Sequence, residues 1–201
     1  MKNTFHGWSG VNTIDLDATM NLILTGRKAS EATPDFWLYE YIGGKSDNLT
    51  ILDFGCGIGR NTFGMGTYTS SWKIVGYDNI NMLNKTKDFA KIHYDRIPSN
   101  ISFNCDWNRV NTNKFDVIFC CLVLQHIFEE DLMEYINDFK RMTSKIVVFG
   151  RRFNDDVKSR STWTILEECG LIPHEFFSDG NQVLYDPNGD MHDHNLAIYM
   201  L

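Results

Sequence analysis

Short apolar runs alternate with patches of helical periodicity along most of this chain. TILDF (50–54) reads as a β-strand, and RNTFGMGTY (60–68) follows as a helix that Gly64 and Gly66 weaken. WKIVGYD (72–78) is a second strand. NINMLNKTKDFAKIHYD (79–95) sets Ile80, Leu83, Phe89 and Ile92 at roughly helical spacing and predicts one helix. ISFNCD (101–106) is a third strand. FDVIFCCLVL (115–124) is the fourth and the most apolar, the pattern of a strand buried on both faces. EEDLMEYINDFKRM (129–142) is an amphipathic helix with acids in its first turn and bases in its last. KIVVFG (145–150) is a fifth strand, and DDVKSRSTWTILEECG (155–170) is a helix closed by Gly170. LIPHEFFS (171–178) and NLAIYML (195–201) are two final strands.

Ahead of this alternation, ATPDFWLYEYIGG (32–44) reads as a short helix. Thr33 is its N-cap, Pro34 takes the first helical position, Asp35 favours the positive end, and Gly43 and Gly44 stop it. IDLDATMNLILTGR (14–27) holds another short helix. Strands that alternate with helices need right-handed crossovers and a mostly parallel sheet. The last two strands have no helical pattern between them, so they pair antiparallel. The expected fold class is α/β: a three-layer sandwich with a seven-stranded, mostly parallel sheet and an antiparallel last strand. A single domain over 1–201 is expected, with residues 1–48 as a helical lid or cap and 49–201 as the core sheet and helices.

Composition narrows the setting. The chain has 201 residues, 43% hydrophobic and 22% charged, as in a globular domain with a full core. Its formal net charge of -7 disfavours broad binding to nucleic acid or to an anionic membrane. Five cysteines, with no C-x-x-C among them, predict reduced thiols and a cytoplasmic location. The first residues lack the apolar region of a signal peptide. No apolar run reaches the ~18 residues of a membrane span.

The stretch ILDFGCGIGR (51–60) follows the first strand directly. In such a sheet, ligands bind beyond the carboxyl ends of the strands. Gly55, Gly57 and Gly59 remove side chains that would keep a ligand from the backbone. Asp78 closes the second strand, at about the distance where nucleotide folds place an acid for ribose hydroxyls. The dinucleotide fingerprint wants a third glycine where Arg60 stands. Asp53, at the end of the strand, repels a pyrophosphate but accepts from an ammonium group or from water. The ligand implied has a ribose and a positive charge.

These segments resemble the class I S-adenosylmethionine-dependent methyltransferases. ILDFGCGIGRNT resembles the family's first motif, VGYDNINML the segment with the ribose-binding acid, ISFNCDW the segment that flanks adenine, and FDVIFCCLVLQHI the fourth-strand motif. The four stand in the family's order over about residues 48 to 130, in what the resemblance makes a Rossmann-like methyltransferase fold. The resemblance implies that S-adenosyl-L-methionine is the cofactor and S-adenosyl-L-homocysteine its product. It places Gly55, Gly57 and Gly59 under the methionine part and ribose, with Cys56 contributing backbone. Asp53 helps hold the amino group, Asp78 accepts from the ribose hydroxyls, and Asn79 flanks the adenine. Asp106 accepts from the adenine amino group, with Trp107 stacking or donating its N–H. Cys121 and Leu122 present backbone near the sulfonium. Arg27, in the N-terminal segment, pairs with the methionine carboxylate or is simply an exposed base.

His126, in LVLQHI, lies just past the fourth strand. A neutral imidazole there could take a proton from an attacking hydroxyl or amine. It is the candidate catalytic residue, against a structural histidine. Gln125 could equally face the cofactor. Arg151 and Arg152 follow the fifth strand and could greet an anionic acceptor. DPNGDMHDH (186–194) carries Asp186, Asp190, His192, Asp193 and His194, but its place in a turn-rich loop argues against a metal, and none is expected. The reading is methyl transfer to an O, N or S atom, with a small-molecule acceptor favoured. No D/N-P-P-Y/F follows the fourth strand, and no Pro-Cys pair occurs. A protein or nucleic-acid acceptor, or a non-catalytic cofactor-binding module, are the alternatives.

Overall fold

The structure is a computed structural model that describes residues 15–23, 28–151, 160–177 and 194–201. Its strands are β1 (Thr50–Phe54), β2 (Lys73–Tyr77), β3 (Ile101–Asn104), β4 (Val117–Cys121), β5 (Lys145–Arg151), β6 (Glu175–Phe177) and β7 (His194–Met200). They form a seven-stranded sheet in the order β3-β2-β1-β4-β5-β7-β6. The pairs β1/β2, β2/β3 and β4/β5 are parallel, whereas β7 runs antiparallel to both β5 and β6. The alternating pattern of the sequence therefore predicts the fold class correctly. The chain divides into two compact units that meet in sequence at Thr112 and Asn113.

The first unit carries β1–β3 with helices α1 (Leu16–Ile23), α2 (Tyr39–Ile42), α3 (Arg60–Tyr68), α4 (Ile80–Leu83), α5 (Thr86–His93) and α6 (Trp107–Val110). Ala29, Ala32, Ile58, Phe63, Met82, Phe89 and Ala90 form a buried cluster, with Leu16, Tyr94, Ile101 and Phe103 packed against it. Each fully buried ring there contributes roughly 1.5–3 kcal/mol. A second aromatic group joins Tyr39, Tyr68 and Trp72, with centroids 5.4–6.5 Å apart. Lys45 Nζ sits 4.3 Å above the Tyr68 ring.

Three expectations for this unit are corrected. The helix expected over 32–44 begins two residues late, as a 3-10 turn at Phe36–Leu38 that runs into α2. Asp35, not Thr33, takes the N-cap position, and it makes no side-chain cap bond, because its carboxylate pairs with Arg60, which also donates to the Thr33 carbonyl at 2.6 Å. The single helix expected over 79–95 is broken into α4 and α5. Thr86 Oγ1 donates to the Leu83 carbonyl at 2.8 Å, and this local side-chain bond competes with the helical ladder. The third strand stops at Asn104, and the unpredicted four-residue α6 starts after Asp106.

The second unit carries β4–β7, α7 (Glu129–Met142) and α8 (Thr162–Glu168). α7 keeps its predicted bounds and buries Leu132, Tyr135, Ile136, Phe139 and Met142 along one stripe. β4 ends at Cys121, three residues short of expectation, because the chain leaves the ladder at Leu122 and winds into a 3-10 turn at Leu124–His126. α8 starts at Thr162, not at 155. Ser161 is its N-cap, accepting from the Trp163 N–H at 3.2 Å. Residues 155–159 lie outside the described residues. All five cysteines are free thiols. Among the described residues no helix is long and apolar enough to cross a membrane.

Candidate active site

In the first unit, β1 delivers Asp53 to the point where the chain turns through Gly55–Gly59 into α3. The end of β2 staples that turn. Gly55 N and Cys56 N donate to the Tyr77 carbonyl at 2.8 and 3.0 Å, and Gly57 N donates to Asp78 Oδ2 at 2.7 Å. Gly55, Gly57 and Gly59 take φ of 70°, 60° and 88°, the left-handed region. At Gly59 space adds to conformation, since a Cβ would lie 2.9 Å from Phe63 and 3.0 Å from Phe103.

Two buried carboxylates flank the turn. Asp78 Oδ1 accepts from Asn79 N at 2.7 Å and from Asn79 Nδ2 at 3.0 Å. Burial pushes Asp78 up to about 6, against the pull of the Gly57 and Asn79 N–H bonds. Asp53 Oδ2 accepts from Thr62 Oγ1 at 2.5 Å. Burial pushes Asp53 up to about 7, against the Thr62 bond and the Arg60 charge. The Cys56 thiol is buried, and desolvation together with both carboxylates holds it well above the usual thiol range. It is an inert packing group. Arg60 turns away from the glycine turn to Thr33 and Asp35. The position where the dinucleotide pattern wants a glycine thus anchors an earlier segment of the chain.

Asn79 serves as the N-cap of α4, its Oδ1 accepting from Asn81 N and Met82 N at 3.0 and 3.1 Å. Ile80, immediately after it, is half exposed. Asp106 is exposed, caps α6 through Asn108 N at 3.1 Å, and pairs with Arg109 at 3.5 Å. Trp107 is half-buried, edge-on to Phe54 at 5.4 Å and tilted on Tyr77 at 4.9 Å. The sequence alone does not single out Thr62, the partner of Asp53. Thr62 left one trace, a polar residue on a buried helix face.

In the second unit, Cys121 ends β4 half-buried, and Leu122 follows with φ 57°, the one non-glycine residue with positive φ among those described. Its N–H donates to the Phe149 carbonyl at 2.7 Å. Gln125 and His126 lie in the next turn, with Gln125 buried and His126 half-buried. Arg151 closes β5 opposite His194. Arg27, Arg152 and residues 186–193 lie outside the described residues. Among the described residues no group of His, Cys, Asp or Glu is arranged to hold a metal ion.

Residues 52–145 match the family model described as a methyltransferase domain. No curated protein matches the chain. Solved structures do. A candidate O-methyltransferase from Nostoc punctiforme is 12% identical with a TM-score of 0.58, covering 83% of this chain and 55% of its own. The methyltransferase domain of a bacterial CtHen1 is 18% identical with a TM-score of 0.59, covering 83% and 98%. Magnesium protoporphyrin IX methyltransferase from Synechocystis, solved with bound S-adenosylmethionine, is 16% identical with a TM-score of 0.58, covering 82% and 75%. This chain thus spans about half the length of the Nostoc protein, and at such identities the likeness carries the fold. The matched segment, a little under half of the chain, holds both flanking carboxylates and the whole glycine turn, and there the chain is similar to methyltransferase domains.

Proposed function

We propose that this chain transfers the methyl group of S-adenosylmethionine to a nucleophilic oxygen, nitrogen or sulfur atom of a small molecule. The observation that supports this reading most is the buried Asp53 beside the glycine turn. A carboxylate raised to about 7 by burial suits a cationic partner, and an ammonium group would restore its charge. A pyrophosphate would do the reverse.

Gly55, Cys56, Gly57 and Gly59 would carry the cofactor's methionine part and ribose on their backbone. Asp53 would hold the amino group, directly or through water. A carboxylate has roughly four lone-pair sites. Asp78 already uses its oxygens for Gly57 N, Asn79 N and Asn79 Nδ2. A ribose diol would therefore take the remaining place and displace Asn79 Nδ2. Asn79 and Trp107 would flank the adenine, Asp106 would accept from its amino group, and Cys121 and Leu122 would lie near the sulfonium. Arg27 would pair with the carboxylate. Bound there, S-adenosylmethionine supplies an electrophilic methyl group that needs no activation. The chain's task is to align the acceptor and exclude water, with His126 on the acceptor side and residues 1–48 as cover.

A small acceptor fits the net charge of -7, which weighs against nucleic acid. It also fits neighbours described as a candidate O-methyltransferase and a magnesium protoporphyrin IX methyltransferase. A thermal-shift titration tests the cofactor. S-adenosylhomocysteine should raise Tm, because it binds only the folded state, and NAD should not. The reverse result would end this reading.

A further inference from the structure

Gln125 is only 1% exposed, in the 3-10 turn that follows β4. Its Nε2 lies 3.3 Å from His126 Nε2. The other end of the carboxamide, Oε1, is buried with no hydrogen-bond partner. Leaving a buried polar atom unpaired is unfavourable, and an apolar side chain of the same shape would avoid it. β5 nevertheless keeps a place for this atom. A Cβ on Gly150 would come within 2.9 Å of Gln125 Oε1.

The contact between Gln125 and His126 has two chemical forms. Either the amide N–H donates to a lone pair on His126 Nε2, or the amide is turned over and Oε1 accepts from an Nε2–H. The turned amide would leave two buried N–H groups beside Gly150 in place of one carbonyl oxygen. Orphaned buried N–H groups are rarer than under-satisfied carbonyls. The donating form is therefore the favoured one, and it requires a lone pair on His126 Nε2. The ring proton then sits on Nδ1.

We propose that Gln125 is a positioning residue that fixes His126 as the neutral tautomer protonated on Nδ1. The inference rests on the reading that His126 lies on the acceptor side of a methyltransferase. Its consequence is chemical. With its lone pair engaged by Gln125, Nε2 does not serve as a general base. The acceptor class that suits such a site brings its own lone pair: a thiolate, a phenolate or a neutral amine.

The test is a long-range ¹H–¹⁵N correlation spectrum of the ¹⁵N-histidine-labelled full chain at neutral pH, without cofactor. There are 6 histidines to resolve, and His126→Gln identifies the signal by its loss. His126 should show a protonated Nδ1 and an unprotonated Nε2. Gln125→Glu replaces the donor by an acceptor and should move the proton to Nε2. Gly150→Ala should push the carboxamide away and leave a mixture of tautomers. Its backbone lies within a strand, and the crowded neighbour is the end of a flexible side chain. A wild-type spectrum with the proton on Nε2, with both nitrogens protonated, or with mixed tautomers overturns the proposal, whether or not the variants fold. So does a His126 signal unchanged in both variants. Because no cofactor is present, a failed thermal shift with S-adenosylhomocysteine would leave this result standing.

Discussion

Arg60 pairs with Asp35 from 25 residues away, and the pair fastens the segment before β1 to the first turn of α3. Asn61 adds to the fastening by accepting from Asp35 N at 2.8 Å and donating to Asp35 Oδ2 at 3.1 Å. The Tyr39 hydroxyl bonds Asn61 Oδ1 at 3.0 Å. Arg60→Ala removes the guanidinium from the partly buried Asp35 carboxylate and should cost about 2–4 kcal/mol, somewhat under the cost of breaking a fully buried pair. Arg60→Lys should recover part of this, because it keeps the charge but loses the fork that spans Thr33 O and Asp35. Urea unfolding measures both. Equal midpoints for wild type and Arg60→Ala would show that the pair holds nothing.

Asp78 joins two roles, tying Gly57 to the end of β2 and, on the proposed reading, accepting from the ribose. Asp78→Ala should weaken S-adenosylhomocysteine by about 1.5–3 kcal/mol, the range for hydrogen bonds to charged groups. Asp78→Asn can keep an acceptor for Gly57 N and should lose less. Calorimetry on the folded variants separates the cases. Unchanged affinity in both would remove Asp78 from the site.

Much of this was legible in the sequence because local rules and tertiary demands agree there. β1 and α7 keep their predicted bounds, since a buried apolar run or a charge-bracketed stripe leaves no competing arrangement, and α3 keeps its own despite Gly64 and Gly66. The glycine turn and Asp78 could be read from spacing alone, because β1 and β2 are parallel neighbours and their carboxyl ends must meet. The misses have a common cause. Thr33 and Asp35 look like a helix start, but a residue far along the chain claims them. Thr62 under Asp53 and Gln125 beside Gly150 likewise depend on neighbours from other elements, which no local pattern encodes.

Asp53 makes stability depend on pH with a definite sign. Its ordinary value of 3.8 is raised to about 7 in the folded chain, so the folded state keeps a proton that the unfolded state releases. Stability should be full below about pH 4 on this account and fall as pH rises through 7. Asp78, raised to about 6, adds a smaller slope of the same sign. Asp53→Asn should flatten most of that slope and leave the variant more stable than wild type at pH 8, by on the order of 2–4 kcal/mol. If an ammonium group binds Asp53, S-adenosylhomocysteine should also release protons from wild type near pH 7 and fewer from the variant. Chemical unfolding at several pH values and calorimetry in two buffers provide the measurements. A wild-type stability that rises between pH 4 and 7 by the same amount in Asp53→Asn would contradict the assignment.

Leu122 offers a direct test of whether strain at the end of β4 serves the site. A leucine at φ 57° costs roughly 1–2 kcal/mol relative to ordinary backbone. The N–H bond to Phe149 helps hold it there. Leu122→Gly removes the strain together with the whole half-buried side chain, and relief of the strain should offset the lost contacts, so Tm should be no lower than wild type. Leu122→Val keeps an apolar side chain, but a β-branched residue tolerates this region less well, and it should lose about 1–2 kcal/mol. The opposite signs matter, because simple loss of packing would make glycine the worse of the two. If the turn exists to present backbone to the cofactor, Leu122→Gly should also bind S-adenosylhomocysteine more weakly despite its stability, since a freer backbone must be ordered on binding. A glycine variant that is both as stable and as tight as wild type would detach the strain from cofactor binding. It would leave the left-handed turn as the path by which the chain leaves β4 for the turn that carries Gln125 and His126.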